Sequence, residues 1–398
     1  MKHVEIAGAG LAGLTAAAAF AKAGWSVRVH EKSSELREIG AGIYLWENGL
    51  RALEEIGAYD RVVENGEWVE EPILRDHSGQ TLQEEWLRND RLVTVARRHL
   101  HRTLVENAQE LGVEILTDSQ IVRALPNGTI IAADGTHYSG DLAIGADGVF
   151  SKVRDTLGLR SSLRNLRDGG GRHLITRTSD DPVNSTIEQW NGGRRIGIVP
   201  CAPDQTYVFL CCPADDLEGR DQTPFRPDSW LESFPEFRSQ LERISSDTEG
   251  RWAPFHDVTV KSWRSGRTVL IGDAAHGMSP NLGQAACVAM TNAVQLAIAA
   301  VLQGRTYVPE QLRALAGLHS GHFPSGYLAL TAREQQVVQM IGLGFNNHRI
   351  AGQLKVSYRT VHFHRSNIRR KLGFHSDWDM TRFALEVRAC TDGANGAP

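Results

Sequence analysis

Two hydrophobic periods alternate along the first part of the chain. Residues 2–7 (KHVEIA) read as a short strand; Gly8-Ala9-Gly10-Leu11-Ala12-Gly13 follows, and a run of small and apolar residues to Ala23 predicts a buried helix. After Gly24 the segment WSVRVHEK predicts a second strand ending at Glu31-Lys32. Apolar strands recur in DLAIG (141–145) and TVLIG (268–272), the latter leading through a loop with Pro280 into a helix expected from Gln284 to Leu302. Between them, roughly 168–264, segments such as RRIGIVPC and QTYVFLCC alternate as a half-buried antiparallel sheet does. From Leu330 onward the period is helical. Thr331 and Glu334 form a capping box before Val337, Val338 and Ile341, with Gly344 as the stop. A helix Asn347 to Leu354 and a turn at Lys355-Val356 precede Ser357, which N-caps a third helix running to Leu372.

The first glycine cluster has a mechanical reading. Gly8 permits a tight turn, Gly10 lets backbone approach a pyrophosphate, and Gly13 lets the helix pack on the strand, while the helix N-terminus at Leu11 and Ala12 offers unpaired N–H groups. Glu31 comes 23 residues after Gly8, at the end of the next strand, where a carboxylate accepts hydrogen bonds from a ribose. No second such glycine pattern occurs, so a permanently bound second dinucleotide is disfavoured, and a nicotinamide, if one is used, must visit a shared groove and leave.

Composition narrows the class. With 398 residues, 41% of them hydrophobic and 23% charged, the chain has ordinary globular composition and length for two or three domains. No stretch of 18 apolar residues suggests a membrane span, and Leu14 to Trp25, with Lys22 inside it, reads as a core helix rather than a leader. The five cysteines lack CxxC spacing or histidine partners, which predicts neither disulfides nor a metal site and fits a cytoplasmic location. The net charge of -4 hides a split: residues 321–390 hold 10 Lys and Arg against 4 Asp and Glu, and residues 1–320 hold 33 against 42. A basic end on an acidic body suggests a nucleic-acid-binding appendage.

The glycine cluster, Asp147-Gly148 with Ser151 and Arg154 in DLAIGADGVFSKVR, and Gly272-Asp273 in TVLIGDAAH, in this order, resemble the single-component FAD-dependent aromatic monooxygenases of the p-hydroxybenzoate hydroxylase family. Residues 30–37 (HEKSSELR), 40–51 (GAGIYLWENGLR) and GADGVFSKVRDTLG are similar in detail to its 2-methyl-3-hydroxypyridine-5-carboxylate oxygenase subgroup. The resemblance implies an α/β fold: a Rossmann-like FAD-binding domain over 1–167 and 265–318, with an antiparallel substrate sheet inserted over 168–264. It implies FAD, with NADH or NADPH as transient reductant and dioxygen as oxidant, acting on an aromatic or hydroxypyridine-type acid. Its implied flavin contacts are Gly8, Gly10, Leu11, Ala12, Gly13, Glu31, Lys32, Arg97, Asp147, Asp273 for the ribityl chain, and Ala285; Pro280 lies in the loop passing the isoalloxazine. Ala285 stands where relatives have glycine, and would be strained if its φ were positive. For the substrate, Arg195 and Tyr207, on neighbouring strands, match an arginine for a carboxylate and a tyrosine for a ring hydroxyl. The residues alone equally allow a surface arginine and a core tyrosine. His276, Tyr44 and Trp46 read as packing groups.

Residues 330–373 resemble the LuxR-type helix-turn-helix of bacterial regulators, here a small all-α domain over 329–390 joined by a linker at 319–328. The resemblance implies binding to double-stranded DNA, with Tyr358, Arg359 and His362 toward base edges and Arg365, Asn367 and Lys371 toward phosphate. His362 replaces the family's usual lysine. Dimerisation through a last helix, about Trp378 to Val387, is expected. Two functions compete: a monooxygenase with a DNA-binding tail, and a flavin- or ligand-sensing regulator without turnover.

Overall fold

The computed structural model describes residues 1–36, 40–83, 91–244, 251–303, 326–342, 345, 347–354, 356–374, 379–381, 383, 384 and 387. Two compact units divide the chain, Met1–Ala297 and Ile298–Pro398.

In the first unit, the strand His3–Ala7 lies between Ser26–His30 and Leu142–Gly145, all parallel, in a six-stranded sheet completed by Glu114–Leu116 on one side and Thr268–Leu270 and Arg264–Ser265 on the other. The helix Leu11–Lys22 covers this sheet, and its long run of alanines permits the close approach, leaving Leu14, Ala16, Ala17, Ala18 and Phe20 fully buried. The three predicted motif strands are therefore neighbours. Their loops emerge at one edge, which is where parallel α/β sheets bind ligands.

A second, seven-stranded sheet is ordered Ala253–Val260, Arg160–Thr176, Gln205–Pro213, Arg194–Ala202, Ser185–Asn191, Glu71–Arg75 and Thr81–Gln83. The expected boundary at 168 needs correction, because the strand begins at Arg160 and two strands from the preceding segment, 71–75 and 81–83, complete the sheet. Backbone pairing crosses the sequence boundary: Glu71–Arg75 runs parallel to Ser185–Asn191, with Ile73 opposite Ile187. One face of this sheet buries Ile196, Ile198, Val208, Leu210 and Cys212 against Trp230, Phe234, Phe237 and Leu241 of the short helices that follow it. The opposite face carries the polar groups described below.

In the second unit, helices Ala332–Gly342, Asn347–Leu354 and Tyr358–Leu372 enclose Val337, Val338, Ile341, Ile350, Val361 and Ile368. The capping box is present: Thr331 Oγ1 accepts from Glu334 N at 3.3 Å, and Glu334 Oε2 accepts from Thr331 N at 2.8 Å. Ser357 Oγ caps the third helix through Thr360 N at 3.0 Å. Gly344, Lys355 and most of the 319–328 linker lie outside the described residues, as do Arg37 and residues 304–318. Of the segment expected to pair two copies, Met380, Phe383, Ala384 and Val387 are buried in the unit's own core. Their apolar side is thus used internally.

Candidate active site and nucleic-acid interface

The glycine turn is built as its mechanics require. Gly8 has φ +105, and a Cβ there would stand 2.5 Å from the Ala146 carbonyl oxygen; at Gly13 it would stand 2.0 Å from the Gly8 carbonyl oxygen, so neither position takes a side chain. A Cβ on Gly10 would meet nothing within 4 Å, leaving open space over the helix N-terminus. The helix has no side-chain cap, so its first N–H groups point to that space. Glu31 is held in place, its Oε2 accepting from Ala9 N at 3.1 Å and its Oε1 from Ser33 N at 3.0 Å. His101 adds a fixing contact, Nε2 lying 2.8 Å from the Ala9 carbonyl oxygen.

The second and third motifs are tied together by a residue with no assigned role in the sequence reading. Arg154 is fully buried and donates to the Val149 carbonyl at 2.9 Å and the Ala274 carbonyl at 3.2 Å, beside Asp155 at 3.1 Å. Asp147 spends one oxygen on the N–H groups of Lys152 and Val153, at 2.7 and 3.1 Å, while its buried Oδ1 has no partner among the described residues. Burial raises its pKa, opposed by the hydrogen bonds from Ser151 and these amides. Trp46 Nε1 and Ser279 Oγ are likewise buried and unpartnered. Open space over an uncapped helix N-terminus, a pre-oriented carboxylate and several unmet hydrogen-bonding groups fit an FAD.

Gly283, with φ +59, takes the left-handed position of the loop after Pro280, and Ala285 opens the helix Ala285–Gln303. The glycine-to-alanine departure is therefore unstrained, because the turn is made two residues earlier. Cys287, buried, anchors this helix, its Sγ 3.4 Å from Trp46 N and 3.5 Å from the Tyr44 carbonyl. Asp273 is exposed at the start of the short helix Asp273–His276, and Gly272 before it has φ +58. His276 stacks on Trp263, with ring centroids 5.2 Å apart, and burial lowers its pKa, as a packing histidine's would be.

A cavity of about 330 Å3 opens on the polar face of the seven-stranded sheet. It brings together Arg97, Arg195, Tyr207, Pro280 and Ala285, and adds Arg172, Glu188, Trp190, Phe209 and Asn281, which sequence reasoning missed. Gly8 through Gly13, Glu31, Lys32, Asp147 and Asp273 do not line it. Arg195 and Tyr207 share one face because Arg195 pairs with Cys211 and Tyr207 with Val199, positions of the same parity on adjacent antiparallel strands.

Arg195 departs from its expected role. Its Nη2 donates to Asn281 Oδ1 at 2.7 Å, its Nη1 lies 3.5 Å from Glu188 Oε1, and it stacks over Trp190 at 5.0 Å. The guanidinium is thus already neutralised and fixed, and is no open fork for a substrate carboxylate. Arg172 is the cation that faces Tyr207. Burial pushes the Tyr207 phenol up to about 12, while Arg172 and Arg97 pull it down, Arg172 also through a hydrogen bond. The alternation of Arg172, Leu174 on one strand and Glu188, Trp190 on another was the available signal, but only register assigns these parities to one face.

On the third helix of the second unit, Arg359, His362, Phe363 and Arg370 are exposed. Arg365 Nη1 donates to Asn347 Oδ1 at 2.9 Å, and Asn367 Oδ1 accepts from Arg370 Nη2 at 3.2 Å. The backbone of Tyr358 begins the helix. Lys371 is corrected: its Nζ lies 2.7 Å from Glu334 Oε2, a carboxylate 3% exposed, so it pins the third helix to the first helix's cap instead of reaching outward to phosphate.

A Rossmann-like glycine-turn sheet joined to a second sheet that roofs a cavity defines a flavin-binding oxygenase fold, and the helical unit a DNA-binding one. The FAD binding domain family matches residues 1–310, and the luxR family of bacterial regulatory proteins matches residues 328–384. The chain belongs to the FAD-dependent monooxygenases and carries a luxR-type domain. It is 36% identical over 305 residues to a probable 2-heptyl-3-hydroxy-4(1H)-quinolone synthase, AqdB2, of Rhodococcus erythropolis, covering 74% of this chain and 79% of that protein. A 2-heptyl-3-hydroxy-4(1H)-quinolone synthase of Pseudomonas aeruginosa is 34% identical over 307 residues, with coverages of 74% and 79%. The tetrameric form of 2-methyl-3-hydroxypyridine-5-carboxylic acid oxygenase superposes with a TM-score of 0.73 at 37% identity, covering 80% of this chain and 86% of that one. Among the described residues no helix is long and apolar enough to cross a membrane.

Proposed function

We propose that the protein hydroxylates an aromatic or N-heteroaromatic ring, using NADH or NADPH and dioxygen, and that its second unit binds double-stranded DNA. The observation that carries this reading is the cavity, where the loop Pro280–Gly283 and the helix start at Ala285 meet a polar sheet face bearing Arg172, Arg195 and Tyr207. Similarity to a probable synthase of a hydroxyquinolone and to an oxygenase of a hydroxypyridine carboxylic acid supports a ring of this kind. FAD, once reduced, supplies electrons for activating dioxygen. The helix N-terminus at Leu11 and Ala12 would hold its pyrophosphate, with Gly8, Gly10 and Gly13 allowing the approach; Glu31 would accept from the ribose, with Lys32 beside it, and Asp273 from the ribityl chain. Asp147 and Arg97 would complete the flavin contacts.

The substrate's ring oxygen is polarised by the Tyr207 hydroxyl and the Arg172 guanidinium, a charged donor in a partly dry site. An anionic substituent docks at Arg172, since Arg195 is engaged. The apolar walls, Ile43, Ile73, Leu74 and Phe255, exclude water from the ring. On the DNA side, Arg359, His362 and Tyr358 address bases, and Arg365, Asn367 and Arg370 the flanking phosphates.

Purified protein is expected to be yellow and to oxidise NAD(P)H faster when a hydroxypyridine, quinolone or hydroxybenzoate is added. The luxR-family match also supports a second reading, a ligand-responsive regulator without turnover. Flavin-loaded protein whose NAD(P)H oxidation no ring compound stimulates, but whose DNA affinity a ring compound changes, would establish that reading instead.

A further inference from the structure

One row of residues crosses the cavity face in register: Arg172 pairs with Phe209, Phe209 with Gly197, and Gly197 with Glu188. Three strand spacings separate the ends of this row, about 14 Å between their Cα atoms. Gly197 is bare for a reason. A Cβ there would lie 2.0 Å from Phe209 Cε1, so the half-buried Phe209 ring leans over it as a plate. A cation stands at one end of the plate and a carboxylate at the other, and both line the cavity.

Glu188 is the acid of this otherwise cationic lining, against Arg97, Arg172 and Arg195. Its Oε1 accepts from Trp190 Nε1 at 2.7 Å and faces Arg195 Nη1 at 3.5 Å. Its Oε2 takes no hydrogen bond from the described residues. A partly buried carboxylate fixed through one oxygen, with the other open, is an acceptor awaiting a donor.

We propose that Glu188 is a specificity-determining residue whose Oε2 accepts the N–H of an N-heteroaromatic ring stacked on Phe209, while that ring's exocyclic oxygen meets Arg172 and Tyr207. This rests on the cavity being the substrate site. A ring lacking the N–H leaves a desolvated carboxylate oxygen unpaired, and polar sites reject such analogues strongly. Burial raises the Glu188 pKa, while Arg195 and the Trp190 hydrogen bond draw it back.

The test compares 4-pyridone with N-methyl-4-pyridone, which share the ring and oxygen and differ at the N–H. Binding to the flavin-loaded full chain is measured by calorimetry, alongside stimulated NAD(P)H oxidation. N-methylation is expected to weaken binding to the wild type about tenfold or more. In Glu188→Gln the amide oxygen stays with Trp190 and Arg195 and the NH2 group replaces Oε2, so the preference is expected to vanish with flavin content unchanged. Equal binding of the two pyridones by the wild type overturns the proposal whatever the variant does, and so does a preference that survives in a folded Glu188→Gln. If neither pyridone, nor any other ring compound, binds or stimulates oxidation, the monooxygenase reading itself falls and this assignment falls with it.

Discussion

The two units handle polarity in opposite ways. In the first, the chemistry lies inside: Arg195 and Tyr207 are 6% exposed, Arg154 is fully buried, and the glycine turn is sealed by backbone. In the second, the buried side chains among the described residues are apolar apart from Glu334, and Arg359, His362 and Arg370 stand on the outside of the third helix. A ring-oxidising site gains from dryness, because charged groups act more strongly out of water. A phosphate-binding face must stay solvated to exchange counterions for DNA. The same residue type therefore means different things: a buried arginine is a strut or an electrostatic part, and an exposed one a docking charge.

The largest effect is expected at Gly13. Gly13→Val places atoms against the Gly8 carbonyl and is expected to cost about 3 kcal/mol or more and abolish flavin colour, read by absorbance and thermal melting. Ile368→Ala should do the reverse. With Ile368 at 0% exposure, losing its side chain is expected to cost the second unit about 2–5 kcal/mol and remove duplex binding, while flavin content and NAD(P)H oxidation persist.

A smaller effect separates the units by pH. Burial lowers the His173 pKa to about 4, with the Gln222 hydrogen bond opposing, against 6.5 for an ordinary histidine. The unfolded chain therefore binds the proton first as pH falls, so the stabilising contribution is complete above pH 6.5 and is lost as pH drops toward 4. The first unit's melting temperature should decline across that window, and His173→Gln should flatten the decline. The smallest effects concern single charges on DNA. Arg370→Ala should reduce the slope of log affinity against log salt on a duplex by about 0.9 and Arg359→Ala should relax base preference, whereas Lys371→Ala should lower the second unit's melting temperature with a much smaller change in slope.

Local signals carried much of this. The glycine spacing, the flanking strands and the acid at Glu31 are contiguous, so the turn and its helix were readable, as were the capping box and the stripe of Val361 and Ile368. The Ala285 expectation shows where local reading stops. An alanine in a glycine's place looks costly until the structure assigns the left-handed residue to Gly283. Arg195 shows the same limit: its type and spacing suggested a carboxylate fork, but Glu188 and Asn281, 86 residues away in the second case, had already engaged it. Lys371 likewise looked like a free charge until Glu334 took it.

The amino-acid order by itself determined the elements that depend on near neighbours: the nucleotide-type turn, the strand alternation and the three helices of the DNA-binding unit. Tertiary structure alone decided which charges remain available, because that depends on strand register and on partners distant in the chain. Register brought Arg172, Phe209, Gly197 and Glu188 into one row across four strands, and periodicity along any one strand holds no information about its alignment with the next.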